Sequence, residues 1–204
     1  MQTGAFFFRG RVRIRPKHIS IFRIYLLLKG WHLSGVTHRK AQRSDASSIA
    51  AISIEVWVGT YQKRGVSAAF ADYVLGEFTT ANTERLICDP SQFILVSENE
   101  EGIDGFIRIS SESKAPVGGC SEIEISTFYV QPRHHGKGIG KGLLHAALQH
   151  LHGQGVASVW LTTNAENSPA IAFYLTNGFE KIGETHFRIG NGAYLNNVYS
   201  FRFE

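Results

Sequence analysis

FYVQPRHHGKGIGKGLL, residues 128–144, decides how the rest of the chain is read. It opens on the apolar end of a strand-like run, breaks at Pro132, and then sets Gly136, Gly138, Gly140 and Gly142 at alternate positions where a helix begins. After proline, glycine is the costliest residue in a helix interior, so the missing side chains must serve something else. A helix N-terminus presents free N–H groups and partial positive charge, and residues without Cβ let a pyrophosphate reach that backbone. Lys137 and Lys141 add charge at the same end. The run therefore reads as a pyrophosphate cradle over Gly136–Gly140, with a ligand-free glycine turn as the alternative. An ATP-binding P-loop is excluded, because it needs Gly-Lys followed by Ser or Thr and each lysine here is followed by glycine. The Rossmann fingerprint, G-x-G-x-x-G near an N-terminal strand, fits neither the spacing nor the late position.

The elements on either side give the context. Upstream of Pro132, EIEISTFYV reads as a long strand; downstream, KGLLHAALQHLHGQG is amphipathic, with Leu143, Leu144, Ala147, Leu148 and Leu151 on one face. SVWLTT follows as a strand. SPAIAFYLTNGF is a helix with Pro169 in its first turn and Asn177-Gly178 at its end. EKIGETHFRI and YLNNVYSFRF are closing strands. Nearer the start, SDASSIAAISIEVWVGTY reads as a helix capped by Ser44 or Asp45. AAFADYVLGEF and ANTERLICDP are further helical segments, and QFILVSEN and FIRIS are strands. This order predicts an α/β (α+β mixed) fold: one central mixed sheet with helices on both faces.

Charge divides the chain. Residues 1–40 hold nine Lys/Arg and no Asp or Glu, which leaves 12 Lys/Arg against 17 Asp/Glu over residues 41–204, a balance of −5. The sequence therefore divides into a basic N-terminal extension, residues 1–35, expected to be poorly ordered, and a domain over residues 36–204. The mildly acidic body suits a cationic small substrate better than nucleic acid. A nucleic-acid arm and a targeting peptide remain alternative readings of the extension. No apolar run reaches the roughly 20 residues of a membrane span. Cys88 and Cys120 make no disulfide framework, which suits a reducing cytoplasm.

The stretch 128–144 resembles the acetyl-CoA motif of the GNAT superfamily of N-acetyltransferases, with Val130, Pro132 and Gly136-Lys137-Gly138-Ile139-Gly140 in register. His135 stands where that motif usually has Gln or Arg, which removes one side-chain contact and leaves the backbone amides intact. A second family motif is matched by Asn167, Ala170, Phe173, Tyr174, Gly178 and Phe179. The resemblance implies the GNAT-type acyl-CoA N-acyltransferase fold with acetyl-CoA as co-substrate. The residues it implies for holding the coenzyme are Phe128, Tyr129, Val130, His135, Gly136, Lys137, Gly138, Ile139, Gly140, Lys141, Asn167, Phe173 and Tyr174. Tyr174 aligns with the acid that protonates the coenzyme A thiolate, and Glu124 with a base acting through water. Strand alternation places Glu124, Ser126 and Phe128 on one side. Glu122 is a second candidate base. Glu55 is placed at an amine pocket, with Trp57 and Tyr61 either walling it or packing in the core.

SIEVWVGTY, ADYVLGEF, SQFILVSEN, EIEISTFYV and THFRIGNGAYLNN are similar to the bacterial spermidine/spermine N-acetyltransferase subgroup. That similarity implies a polyamine acceptor, with another small-molecule amine, a protein N-terminus or a non-catalytic acyl-CoA sensor as alternatives. The family pattern also allows a homodimer. His134, His135, His145, His150 and His152 are not spaced as a metal site, so no metal is expected.

Overall fold

The structure is a computed structural model that describes residues 37–62, 64–189 and 192–203. The basic extension read from the sequence lies outside the described residues. Seven strands form one sheet: β1 (Thr37–Lys40), β2 (Gln92–Asn99), β3 (Gly102–Ser110), β4 (Glu124–Val130), β5 (Ser158–Asn164), β6 (Glu180–Ile189) and β7 (Gly192–Arg202). Their spatial order is β1-β2-β3-β4-β5-β7-β6. Neighbours are antiparallel except β4 and β5, which run parallel. The helices are α1 (Ala46–Tyr61), α2 (Ala68–Glu77), α3 (Thr80–Cys88), α4 (Ile139–Gly153) and α5 (Ser168–Thr176). The sheet is mixed, as the element order predicts. Strand β1 lies where the sequence reading assigned no element.

Period-2 alternation sends neighbouring side chains to opposite faces of the sheet. Leu95, Ile107, Ile109 and Ile125 face one core with Leu143, Leu144, Ala147, Leu148 and Leu151 of α4 and with Tyr174 of α5. Ile94, Val96 and Phe106 face the other, with Ile49 and Ile52 of α1 and Leu86 of α3. The leucine stripe of α4 is thus the buried stripe.

One irregularity repositions the predicted base. Arg108 pairs with Thr127 and Ile109 with Ile125, so Ser126 is an extra residue in β4, a β-bulge. Simple alternation predicts that Glu124, Ser126 and Phe128 share a face. Instead Ile125 and Phe128 share the α4 face, which turns Glu124 to the other side. Ser126 joins Glu124 there, its hydroxyl 2.7 Å from that of Ser110.

The cap expected from Asp45 is also built differently. Asp45 is the N-cap residue of α1, yet no first-turn amide donates to its side chain. Its carboxylate instead accepts from Arg39 (2.7 and 3.0 Å) and from the amide of Gln42 (2.7 Å). The Arg39 guanidinium holds this carboxyl below the usual range. Helix α5 follows its sequence signals: Asn167 Oδ1 accepts the Ala170 amide, and Gly178 (φ 86°) closes the helix, letting the amide of Phe179 reach the carbonyl of Tyr174.

Candidate active site

The site begins where β4 and β5 part. Their registered pairing is Glu124 with Trp160, and the Trp160 amide donates to the Ile123 carbonyl at 3.1 Å. Beyond that point β4 runs on to Val130 and β5 to Asn164 with no further pairing between them. Parallel strands that separate at their carboxyl ends leave a crevice with unpaired backbone, a common ligand position in open α/β sheets. On the β3 side the Gln131 amide donates to the Asp104 carbonyl at 2.9 Å, and Val130 lies opposite Gly105. Antiparallel alternation then commits the backbone of Tyr129 to β3 and turns that of Phe128 and Val130 into the gap. Of the three strand residues predicted to hold the coenzyme, Phe128 and Val130 offer backbone groups there. The Tyr129 side chain lies on the α1 face, its ring 5.7 Å from that of Phe106.

The glycines turn the chain from β4 into α4. Gly136 (φ 77°) and Gly138 (φ 84°) occupy left-handed conformations, and Gly138 is the N-cap of α4. The Gly142 amide is the first to bond back into the helix, to the Gly138 carbonyl at 3.0 Å. The amides of Ile139, Gly140 and Lys141 precede that bond and are free for an anion. Lys137 and Lys141 are exposed beside them. The Ile139 side chain is buried and anchors the first turn, so its contribution is its amide. A Cβ on Gly140 would lie 3.7 Å from the Phe128 ring, 3.7 Å from Val130 and 3.8 Å from the Phe173 ring. The loop, β4 and α5 therefore converge at Gly140. Gly142 has a different reason: a Cβ there would lie 2.7 Å from the His38 ring.

Four side-chain anchors hold the short turn Pro132–His134 that leads into this loop. Glu55 of α1 accepts from Gln131 Nε2 at 2.8 Å and from Arg133 at 3.2 Å. His134 Nδ1 lies 3.8 Å from the Asp104 carboxylate. His135 Nε2 is 3.0 Å from the Val130 carbonyl. The last contact turns the departure from the family motif into a tie between loop and strand. Glu55, placed at an amine pocket by sequence, is committed to this turn. Asp104 and His38 were missed; Asp104 falls in EEGIDG, which the sequence reads as a turn rich in Gly and Asp, whereas the structure begins β3 at Gly102.

Tyr174 lies on the same face, its ring 6.5 Å from Phe128, 5.7 Å from Phe179 and 6.2 Å from Tyr199. Burial pushes its phenol well above the usual range, which keeps the proton on it. Glu124 lies across the sheet, where the Ser113 hydroxyl donates to its carboxylate at 2.7 Å. Arg108 shares that face: it donates to Thr127 Oγ1 and Gln92 Oε1, both at 3.2 Å, and burial lowers its affinity for its proton. Glu122 lies outside β4.

A cleft of about 580 Å³ opens at the carboxyl end of β5, lined by Tyr61, Arg64, Asn164, Glu166, Asn167 and Tyr194 among others. Asn167 thus caps α5 and faces the cleft. Tyr61 lines it. Trp57 takes the core alternative: it is buried, the hub of an aromatic cluster with Tyr61 (4.7 Å), Tyr73 (5.2 Å) and Phe70 (5.4 Å). Tyr194 closes this cluster from the β6–β7 side, 6.2 Å from Phe70 and 6.4 Å from Tyr61.

This arrangement has a counterpart among known proteins. The profile of the acetyltransferase (GNAT) family matches residues 56–179. The chain belongs to that family. It is 26% identical over 147 residues to an uncharacterized N-acetyltransferase of Mycobacterium bovis, covering 72% of this chain and 90% of that one. A mycothiol acetyltransferase of Renibacterium salmoninarum is 30% identical over 120 residues, 56% of this chain and 35% of the relative. Among solved structures, the PaiA N-acetyltransferase from Thermoplasma acidophilum in complex with coenzyme A superposes with a TM-score of 0.67 at 19% identity, covering 82% of this chain and 99% of that one. The GNAT-type mixed sheet is therefore shown, and with it an acetyl-CoA-dependent N-acetyltransferase. Among the described residues no helix is long and apolar enough to cross a membrane.

The residues present fit the coenzyme. Left-handed glycines, free first-turn amides and two exposed lysines suit a pyrophosphate, and the open edge of β4 suits an amide-bearing arm.

Proposed function

We propose that this acetyltransferase moves the acetyl group directly from acetyl-CoA to a primary amine, with a polyamine such as spermidine or spermine as acceptor. The observation that carries the direct transfer is the β4–β5 gap, flanked by the glycine loop and by Tyr174, with the aromatic cleft at the end of β5. Gly136–Gly140, Lys137, Lys141 and His135 hold the coenzyme's phosphate end, and Phe128, Val130, Asn167 and Phe173 its arm. When bound, acetyl-CoA supplies a thioester carbonyl to the attacking amine. An N–H of Phe128 or Val130 polarises that oxygen. The N–C bond forms, the C–S bond breaks, and Tyr174 gives its proton to the leaving sulfur. Glu124 takes the amine proton through water.

The polyamine reading is supported by the similar sequence stretches, the acidic balance of residues 41–204, and Glu166 with two tyrosines along the cleft. A second reading has one specific observation behind it. Arg108 is largely buried and keeps no carboxylate within salt-bridge distance among the described residues, and a buried charge calls for a partner. That favours an amine that also carries a carboxylate.

The test is acetyl-CoA-dependent release of free thiol with spermidine, spermine, putrescine, lysine, glutamate, an aminoglycoside and a short peptide. Release with polyamines that survives Arg108→Gln supports the first reading. Release confined to amino acids and lost in Arg108→Gln supports the second. Release with the peptide alone moves the acceptor to a protein N-terminus. We further propose that the enzyme works in the cytoplasm, where both cysteines remain free thiols.

A further inference from the structure

Arg108 belongs to a hydrogen-bonded chain on its face of the sheet. That face is apolar where α1 covers Ile94, Val96 and Phe106. Beyond Phe106 the same alternation turns polar, with Gln92, Ser110, Ser126 and Glu124 around Arg108. Gln92 Oε1 accepts from Arg108 Nη1 at 3.2 Å and from Ser110 Oγ at 2.7 Å. A hydroxyl carries one proton, so Ser126, the bulge residue of β4, donates the 2.7 Å bond that joins it to Ser110. Gln92 Nε2 donates to Ser91 Oγ at 3.1 Å, and Ser91 Oγ donates to Asp89 at 2.8 Å. Both ends of the Gln92 amide are thereby committed, which keeps its oxygen on Arg108. Thr127 Oγ1 takes Nε at 3.2 Å, and Nη2 has no partner among the described residues. Arg108 keeps part of its surface open.

We propose that Gln92, Ser110 and Ser126 are positioning residues that aim the Arg108 fork at a carboxylate beside the acceptor's amine, so that the enzyme selects a zwitterionic amino acid. The proposal deepens, and rests on, the second acceptor reading. The neutrality of Gln92 is its function. A carboxylate there would satisfy the guanidinium from within, whereas an amide oxygen fixes its direction and leaves its charge for a ligand. Glu124 lies on the same face and acts on Arg108, as does Glu77 of α2, and neither forms a salt bridge with it among the described residues. Arg108 therefore takes the carboxylate end of the acceptor, and Glu124 faces the amine end. Thr127, which holds Nε, directly precedes Phe128, whose backbone opens on the β4–β5 gap. One strand residue spans about 3.3 Å. That spacing fits an acceptor whose carboxylate and amine are close together, as in an α-amino acid.

The experiment measures thiol release by the full-length protein at saturating acetyl-CoA, with alanine, lysine and glutamate each beside its α-carboxamide. The amide keeps the shape and the amine and removes the α-carboxylate. In the wild type the KM for the amide should exceed that for the acid at least about 30-fold, the effect of unpairing a buried charge. Gln92→Glu should cut that ratio at least about tenfold, by raising the KM for the acid and not that for the amide. Ser110→Ala frees the Gln92 amide to turn and should cut the ratio about two- to tenfold. It carries the test if Gln92→Glu does not fold. The KM for acetyl-CoA should not move in either variant. A wild type that takes amides as readily as acids, or takes neither, overturns the acceptor reading and the proposal with it. A wild-type preference that survives both variants, or acid and amide constants that rise together, overturns the proposal and leaves the acceptor reading standing.

Discussion

The two halves of the site are made of different material. On the coenzyme side, left-handed glycines, helix-end amides and an open strand edge do the work, and most functional atoms belong to the backbone. On the proposed acceptor side, the rings of α1, α2 and the β6–β7 hairpin close a cleft, and the atoms that line it belong largely to side chains. A pyrophosphate is the same ligand throughout a family, so a backbone cradle answers it wherever it occurs. The acceptor differs between members, and side chains can change without disturbing the fold. The coenzyme half should therefore be brittle toward backbone changes, and the acceptor half tolerant in fold and sensitive in specificity.

The largest expected effect crosses between the halves. Tyr174→Phe keeps the ring that packs on Phe128, Phe179 and Tyr199 and removes the proton that burial holds in place. Turnover should fall about 10²–10⁴-fold, the usual worth of general acid catalysis. Acetyl-CoA affinity, measured by calorimetry, should stay within about threefold, since no charge or backbone amide is lost. An equal loss of affinity and turnover would assign Tyr174 to packing alone. Next is Gly138→Ala, which forces a side chain into φ 84° at the head of α4. Strain there is worth about 1–2 kcal/mol. The KM for acetyl-CoA should rise about tenfold, the effect of 1.4 kcal/mol in binding.

This contrast also explains what was legible in the sequence. Gly136–Gly140 and the Asn167-to-Phe179 motif are each contiguous in sequence; the strand-to-helix context pointed to the first, and the family resemblance brought out both. The mixed sheet was legible because β2 to β7 alternate cleanly or run apolar. Glu124 was legible as an acid but not in its facing, because a bulge at Ser126 leaves no mark in a period-2 pattern. Asp104 and His38 were missed, and Glu55 was given another role, for a related reason. Their meaning comes from residues 30 to about 100 positions away, brought together by β1, β3 and α1 around one short turn. Tyr194 was missed because a hairpin aromatic looks like any other until the hairpin is seen against α1.

The acceptor half yields a smaller effect. Tyr194→Leu removes a ring that meets Tyr61 and Phe70 at the cleft. Aromatic pairs of this kind are worth about 0.5–1.5 kcal/mol each. The KM for the amine should rise about three- to tenfold, with the KM for acetyl-CoA unmoved. A change in the coenzyme constant would show that the halves are not separable.

Acid stability separates the coenzyme-side scaffold from its chemistry. Burial lowers the proton affinity of His38 against α4 and of His150, whose ring stacks on Phe93 at 3.7 Å. Both are neutral when folded and take protons more readily when unfolded. Their stabilising contribution is therefore present above the ordinary histidine range and is lost as pH falls through it. The melting temperature should drop between pH 7.5 and pH 5.5. His150→Phe should flatten that drop, and an unchanged profile would remove His150 from the account.

The smallest effect is the sharpest probe of what the glycines are for. Four glycines alternate from 136 to 142, but they are not equivalent. Gly136 and Gly138 are required by backbone angle. Gly140 is helical, and an added methyl would meet its neighbours at 3.7–3.8 Å, ordinary contact. Gly140→Ala should therefore leave the fold intact and gain up to about 1 kcal/mol of helix propensity, visible as a slightly higher melting temperature. Gly142→Ala places the same methyl 2.7 Å from the His38 ring, so that ring must move and the propensity gain is lost. If Gly140→Ala is the more destabilising of the two, the loop is held by close packing and not by backbone angle.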